Sequence, residues 1–448
     1  MPEPVLGAGN HPGIRPMVLP HFSLRESRTI SVKLGRWRRR LIFVIGGIAV
    51  GLAAVGLTIS ADYAQKAFQL LVERWPYAPM VVTPLGFGLA VWLAVHFFPN
   101  TQGSGIPQAI AARKIADPRA RNLLVGARVA VGKVILTLLG LLVGASTGRE
   151  GPTVQVGASV MSFIGQRSPR RQPDLILAGA AAGIAAAFNA PLAGVVFAIE
   201  EMSRSFELRT SGLIVGGIVV AGLTAQILLG DYTYFGFTGS ALPLGTAWLA
   251  VPLCGVVGGL FGGVFSRMLV TVPDQLPKRA ASWITAHPVW FATLCGLGVA
   301  LCGLATGGDT FGTGYEQARH VLHENTDLPI IYAPLKLIAT ALSAVSGVPG
   351  GIFSPSLSVG AALGAEIARL FDQVTAAPIV LLGMVAYFTG VVRAPITGFV
   401  IVSEMSDNHS MLVALMATAL IADASASLIN RDGVYQELSV RFFPKPKP

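Results

Sequence analysis

A carboxylate flanked by glycines stands in Gly148-Arg149-Glu150-Gly151-Pro152, between the apolar runs Val134 to Ala145 and Thr153 to Ile164. An acid in membrane-grade surroundings is costly and by default marks a functional site. Gly148 and Gly151 free the backbone, and Pro152 suits the first turn of a helix. The unpaired amides of such a start favour an anion. In a soluble protein the same residues would read as a tight turn with a solvated glutamate. Two further stretches carry similar punctuation, Gly103-Ser104-Gly105-Ile106-Pro107 and Gly347 to Pro355. Each helix start carries roughly half a positive charge. Several converging starts would hold a dehydrated anion loosely enough to release it, where a buried Lys or Arg cluster would bind too tightly. Ser104 adds a hydroxyl donor, a role compatible with that of an ordinary N-cap.

Composition sets the surroundings. Only 12% of the 448 residues are charged and the mean hydropathy is +0.63, against about 25% charged in soluble domains. Too little charge remains to cover a soluble particle, so the chain reads as a polytopic membrane protein of the all-α class. Much of the basic excess lies in tails and loops, as in Arg36, Arg38, Arg39 and Arg40. It speaks to topology and lipid headgroups, with no nucleic acid required. Cys254, Cys295 and Cys302 lie in apolar runs without metal-ligand spacing and read as packed thiols. No cofactor or metal is expected.

Residues 1–40 form a Pro-rich, polar N-terminal tail that runs straight into the apolar segment Leu41 to Ser60. The pattern suits a retained first span better than a cleaved signal, and its basic cluster places the tail in the cytoplasm. Apolar stretches follow near 79–98, 122–145, 175–202, 211–229, 246–271, 289–306, 330–346, 352–371, 376–404 and 411–430.

The broken segments repeat. Gly148 to Gly157 aligns with Gly351 to Gly360, placing Pro152 and Pro355 203 residues apart. Ala190-Pro191-Leu192-Ala193-Gly194 with Glu200 aligns with Ala394-Pro395-Ile396-Thr397-Gly398 with Glu404, at an offset of 204. Gly103-Ser104-Gly105 matches Gly312-Thr313-Gly314 more weakly. Two related halves are therefore expected: 41–229 and 246–430, joined by a linker at 230–245 and followed by a C-terminal segment at 431–448. Interrupted segments at matching places point to a transporter-like site where the halves meet. Pattern alone leaves parallel and inverted arrangements open.

These motifs, with the Asn189 to Met202 stretch, resemble the CLC family of chloride channels and proton/chloride antiporters over residues 41 to 440. The resemblance implies two inverted repeats of tilted, partly broken helices and a homodimer with one pore per subunit. It implies chloride transport across a cell (inner) membrane, proton-coupled or passive, in a short prokaryotic-type member without C-terminal regulatory domains. Its partners would be chloride, protons, lipid and a second copy of the chain. Anion binding is implied for Ser104, the Ile352 and Phe353 amides and the Tyr435 hydroxyl. Glu150 is implied as the gate that competes with chloride and carries protons, and Glu201 as a second proton acid. Glu200, beside it, reads as capping an apolar segment in water. Lys133 matches a family lysine seventeen residues before the gating acid; it could raise the local potential or pair with an acid. Gln108-Ala109-Ile110 stands where some relatives carry acids. The C-terminal Lys445 and Lys447 are expected on the cytoplasmic side, and the Arg167, Arg170, Arg171 loop is left unassigned.

Two rivals fare worse. His320 and His323 have H-x-x-H spacing with Glu324 adjacent, but no H-E-x-x-H occurs to support an intramembrane metalloenzyme. A nucleotide-driven pump would need a P-loop; Gly126 to Lys133 has five residues between its glycines and Val134 where Ser or Thr is required.

Overall fold

The computed structural model describes residues 24–166, 170–204, 211–230, 233–323, 328–371 and 375–443. Arg167, Glu324, Lys445, Lys447 and residues 1–23 of the N-terminal tail lie outside them. The chain divides into residues 1–42 and 43–448, and the site described below belongs to the second unit. Among the described residues the regular structure is helical, apart from two isolated bridges.

The helices run α1 Leu24–Arg74, α2 Pro79–His96, α3 Ile106–Lys114, α4 Pro118–Val125, α5 Ala127–Leu142, α6 Glu150–Gly165, α7 Gln172–Phe188, α8 Pro191–Phe197 and α9 Ser211–Leu229. Then come α10 Ala250–Gln275, α11 Lys278–Ala286, α12 Pro288–Ala305, α13 Tyr315–His323, α14 Tyr332–Val345, α15 Phe353–Ala368, α16 Ala376–Val392, α17 Pro395–Ser406, α18 Leu412–Ser427 and α19 Val434–Val440. Residues 233–245 carry no helix. Among the described residues six helical spans, α4 and α5 together counting as one, are long and apolar enough to cross a membrane, and large apolar side chains such as Leu85, Ile227 and Trp290 are exposed on them. Lipid is the solvent such a surface requires, and the protein is a multi-pass membrane protein.

Three apolar stretches divide where the sequence suggested continuity. Residues 122–145 split at Gly126 into α4 and α5, 175–202 at Asn189 into α7 and α8, and 376–404 at Arg393 into α16 and α17. Asn189 and Arg393 both take the left-handed conformation, with φ of 53° and 64°, and each is followed two residues later by a helix-starting proline. A proline lacks the amide needed to continue a helix but fits its first turn. Broken backbone at membrane depth is tolerated only inside protein. All but two residues of α7 and all but one of α16 are buried accordingly.

The halves pack by the same rule. A Cβ added at Gly157 would lie 2.2 Å from the Gly179 carbonyl oxygen, and one at Gly360 would lie 2.6 Å from that of Gly383. Helices α6 and α7, and their counterparts α15 and α16, thus cross backbone to backbone. The halves meet where Gly148 and Gly351 form an antiparallel bridge, each amide donating to the other's carbonyl at 2.7 Å. Opposed chain directions at equivalent positions are what an inverted repeat requires.

Candidate functional site

Glu150 opens α6 and is fully buried. Its Oε1 accepts a hydrogen bond from the Ser354 hydroxyl, in the first turn of α15, at 2.5 Å. Its Oε2 has no protein donor and folds back on the turn, 2.2 Å from where a Cβ on Gly148 would lie. A carboxylate therefore occupies the meeting point of two helix starts, the place their dipoles favour for negative charge.

Ser104 reaches the same turn from the loop just before α3, since a Cβ on Gly151 would sit 2.3 Å from its hydroxyl oxygen. Its loop is held from two sides. The buried Lys133 Nζ donates to the Thr101 carbonyl at 2.8 Å and the Gly103 carbonyl at 2.6 Å. The Gly350 amide donates to the Gly103 carbonyl at 3.0 Å. Of the two readings open for Lys133, pairing with an acid is the one the structure does not bear out; its partners are carbonyls. Gln108 donates to the Gln102 carbonyl at 2.7 Å.

Ser104, Ile352 and Tyr435 line one cavity of about 300 Å³, with Gln102, Pro107 and Arg441. Phe353 is buried beside it, its ring stacked on Tyr435 at 5.8 Å. The Ser104 and Tyr435 hydroxyls face this shared cavity, and by geometry neither oxygen has a protein hydrogen-bond partner. Among the described residues the Ile352 and Phe353 amides also lack a protein acceptor. Buried donors left in this way call for a ligand or a solvent partner. A second cavity, of about 270 Å³, is lined by Asp62, Lys66, Arg149, Tyr234, Thr313 and Glu316. The Gly148–Pro152 turn touches both, through Gly151 on Ser104 and through Arg149 in the second cavity. Arg149 is itself bound to the Asp62 carboxylate and, at 3.0 Å, to the Thr58 carbonyl.

Glu200 and Glu201 point in different directions from a π-helical turn, Ala198–Ser203, that continues α8. Such a turn shifts side-chain phase, and it recurs at functional sites. Glu201 is buried and takes a hydrogen bond from Gln436 Nε2 at 3.4 Å, while the same amide donates to its backbone carbonyl at 2.5 Å. Gln436 follows Tyr435 in α19 and also accepts from Lys114 at 3.3 Å. Arg113 donates to the Met202 carbonyl at 2.9 Å, so cations surround the acid. Glu200 does not cap its own segment in water. Its carboxylate accepts from the Ile396 and Thr397 amides at 3.0 and 2.6 Å, capping α17 in the other half. Glu404 returns the contact on α8, accepting from Leu192 and Ala193 at 3.1 and 2.6 Å.

Residues 86–427 match the family described as voltage gated chloride channel. The chain belongs to this CLC family. It is 30% identical to the H(+)/Cl(-) exchange transporter ClcA of Yersinia pseudotuberculosis serotype IB, over 94% of this chain and 92% of the relative. Similarity to the Salmonella arizonae transporter of that name is also 30%, over 90% and 89% of the two chains. A slow cyanobacterial Cl-/H+ antiporter superposes with a TM-score of 0.75 at 25% identity, covering 90% of this chain and 97% of its own. A CLC-type fluoride/proton antiporter, at 20% identity and a TM-score of 0.76 over 93% and 99%, shares the fold.

Within this CLC fold the halves are not equivalent. Lys336 stands 203 residues after Lys133 and holds the Thr310 and Gly312 carbonyls at 3.0 and 2.8 Å, a mirrored clamp that sequence reading missed although the offset pointed to it. Thr313 is the counterpart of Ser104, but its hydroxyl is taken up by Gln65 Oε1 at 3.2 Å. An unpartnered hydroxyl is thus kept at Ser104 and lost at Thr313. His323, from the H-x-x-H pair, is engaged at the Phe235 carbonyl at 2.5 Å.

Proposed function

We propose that this CLC protein exchanges chloride for protons, the exchange for which its ClcA relatives are named, and that it does so across the cell (inner) membrane. The observation that carries the reading is the pair of buried hydroxyls, Ser104 and Tyr435, left without protein acceptors beside a buried acid at two converging helix starts. A chloride ion accepts from both hydroxyls and from the Ile352 and Phe353 amides, so four donors replace part of its hydration without a full positive charge. Glu150, when ionised, fills the neighbouring anion position. Protonation removes its charge, and the anion takes its place. Lys133 acts on the anion through the Ser104 loop it holds.

Glu201 loads protons from the side where Lys114, Arg113 and Gln436 gather, without touching the anion. A passive chloride channel would use the same pore but has no need of a second buried acid, so Glu201 favours exchange. The working unit is a lipid-embedded homodimer whose subunits each carry two repeats, 41–229 and 246–430, and both tails face the cytoplasm. Proton and chloride flux recorded together in liposomes test the roles. Glu150→Gln should abolish proton movement and leave chloride flux independent of pH. Glu201→Gln should abolish proton movement while chloride flux still responds to pH through Glu150. Full coupling in Glu201→Gln would remove that residue from the proton route.

A further inference from the structure

The contact between Ser354 and Glu150 has no counterpart in the first repeat. Ser354 aligns with Gly151, so one half supplies the acid and the other supplies a hydroxyl for it. A serine in the first turn of a helix ordinarily serves its own backbone. Ser354 is 3% exposed and donates instead to Glu150 Oε1 at 2.5 Å, the short separation of a charge-assisted bond. A hydroxyl that donates in one direction can accept in another. Tyr234, just after the boundary of the first half, places its hydroxyl 3.5 Å from Ser354 Oγ on that accepting side. Tyr234 is itself fixed: its ring packs edge-on against Phe188 and Tyr315, and its carbonyl accepts from the Tyr315 hydroxyl at 2.7 Å. It also lines the cavity that holds Arg149 and Asp62.

We propose that Ser354 is a positioning residue that holds Glu150 in its ionised, site-filling state, and that Tyr234 orients the Ser354 hydroxyl for this task. The inference rests on the exchange reading, with Glu150 as the gate. A donor to a carboxylate favours its charged form. The other groups around Glu150 are committed elsewhere or are neutral. Arg149 is bound to Asp62 and Thr58, and Lys133 to the Thr101 and Gly103 carbonyls. Tyr435 and Tyr234 contribute hydroxyls, and Glu201 is engaged by the Gln436 side chain. Ser354 is therefore the side chain whose hydroxyl donates to the Glu150 carboxylate, whose other oxygen has no protein donor.

The sign follows. Without the hydroxyl the ionised gate loses a donor, protonates at higher pH and leaves the site more readily. Chloride flux into liposomes is measured from acid to alkaline pH for the full-length protein and for Ser354→Ala. The half-activation pH should rise by about one unit, with more flux at neutral pH and unchanged proton-to-chloride stoichiometry. Tyr234→Phe should move the midpoint in the same direction by less, and it carries the same test should Ser354→Ala not assemble. Ser354→Thr, which keeps the hydroxyl, should stay near the parent. Ser356→Ala, removing a buried hydroxyl with no protein partner two residues on, should not shift the profile. In a Glu150→Gln background, Ser354→Ala should have no effect on pH dependence. A midpoint unmoved by both Ser354→Ala and Tyr234→Phe, while Glu150→Gln flattens the profile, overturns the proposal and leaves the exchange reading intact. A profile that persists in Glu150→Gln overturns the exchange reading itself.

Discussion

Replacing Gly151 with alanine tests the site where its packing is tightest. The added Cβ would lie 2.3 Å from the Ser104 hydroxyl oxygen, 2.8 Å from the Ser104 carbonyl oxygen and 3.3 Å from the Gly351 Cα. Ordinary contact between non-bonded carbons needs about 3.5–4 Å, so the hydroxyl must retreat by more than an ångström. It can rotate; the carbonyl cannot, because its loop is pinned by Lys133 and by the Gly350 amide. Overpacking of this kind costs about 1–3 kcal/mol. Alanine recovers up to about 1 kcal/mol over glycine in a helix, so the fold should survive while the Ser104 geometry does not. Chloride affinity, measured by titration calorimetry on purified protein, should fall about tenfold for each 1.4 kcal/mol that reaches the site. Ser104→Gly combined with Gly151→Ala should relieve the hydroxyl clash but leaves the carbonyl one and removes an anion ligand, so it should not repair binding. A folded Gly151→Ala protein with parental chloride affinity would refute the placement of Ser104 at the anion site.

Three further outcomes follow from the same geometry. Lys133→Met leaves the Thr101 carbonyl without its donor and the Gly103 carbonyl with the Gly350 amide alone, about 1–3 kcal/mol for the buried orphan, and should lower both thermal stability and chloride affinity. Lys336→Met should lower stability alone, and equal loss of affinity in both variants would separate Lys133 from Ser104. Glu200→Ala and Glu404→Ala each strip the acceptor from two helix-start amides and should each cost about 1 kcal/mol on denaturation, with Glu200→Gln milder; no loss from either would make the reciprocal caps incidental. Ser104→Pro removes a hydroxyl from the anion path and should shift preference from chloride toward nitrate in paired flux assays, an unchanged ratio counting against Ser104 as a ligand.

Much of this arrangement could be read from the chain because its chemistry is punctuated locally. Glycines around Glu150, prolines at helix starts and offsets of 203 and 204 residues are all visible in one dimension. What escaped depends on contacts across the repeat. Glu200 aligns with Glu404 in sequence, but only the fold shows each acid capping a helix about 200 residues away. Ser354 aligns with a glycine, so no pattern marks it as the partner of Glu150. Lys133 and Lys336 share an offset, yet their carbonyl partners leave no side-chain signature. The breaks at Asn189 and Arg393 lie within apolar stretches where hydropathy stays high, and a left-handed residue before proline is a weak signal there.

Coupling of chloride to proton movement separates an exchanger from a passive pore. Purified protein in liposomes is given a chloride gradient at equal pH on both sides, with proton movement followed by a pH electrode. Chloride running down its gradient should drive protons uphill in the opposite direction, and Glu150→Gln should abolish that movement. Chloride that equilibrates with no proton displacement in the parent protein would contradict exchange and leave a passive pore.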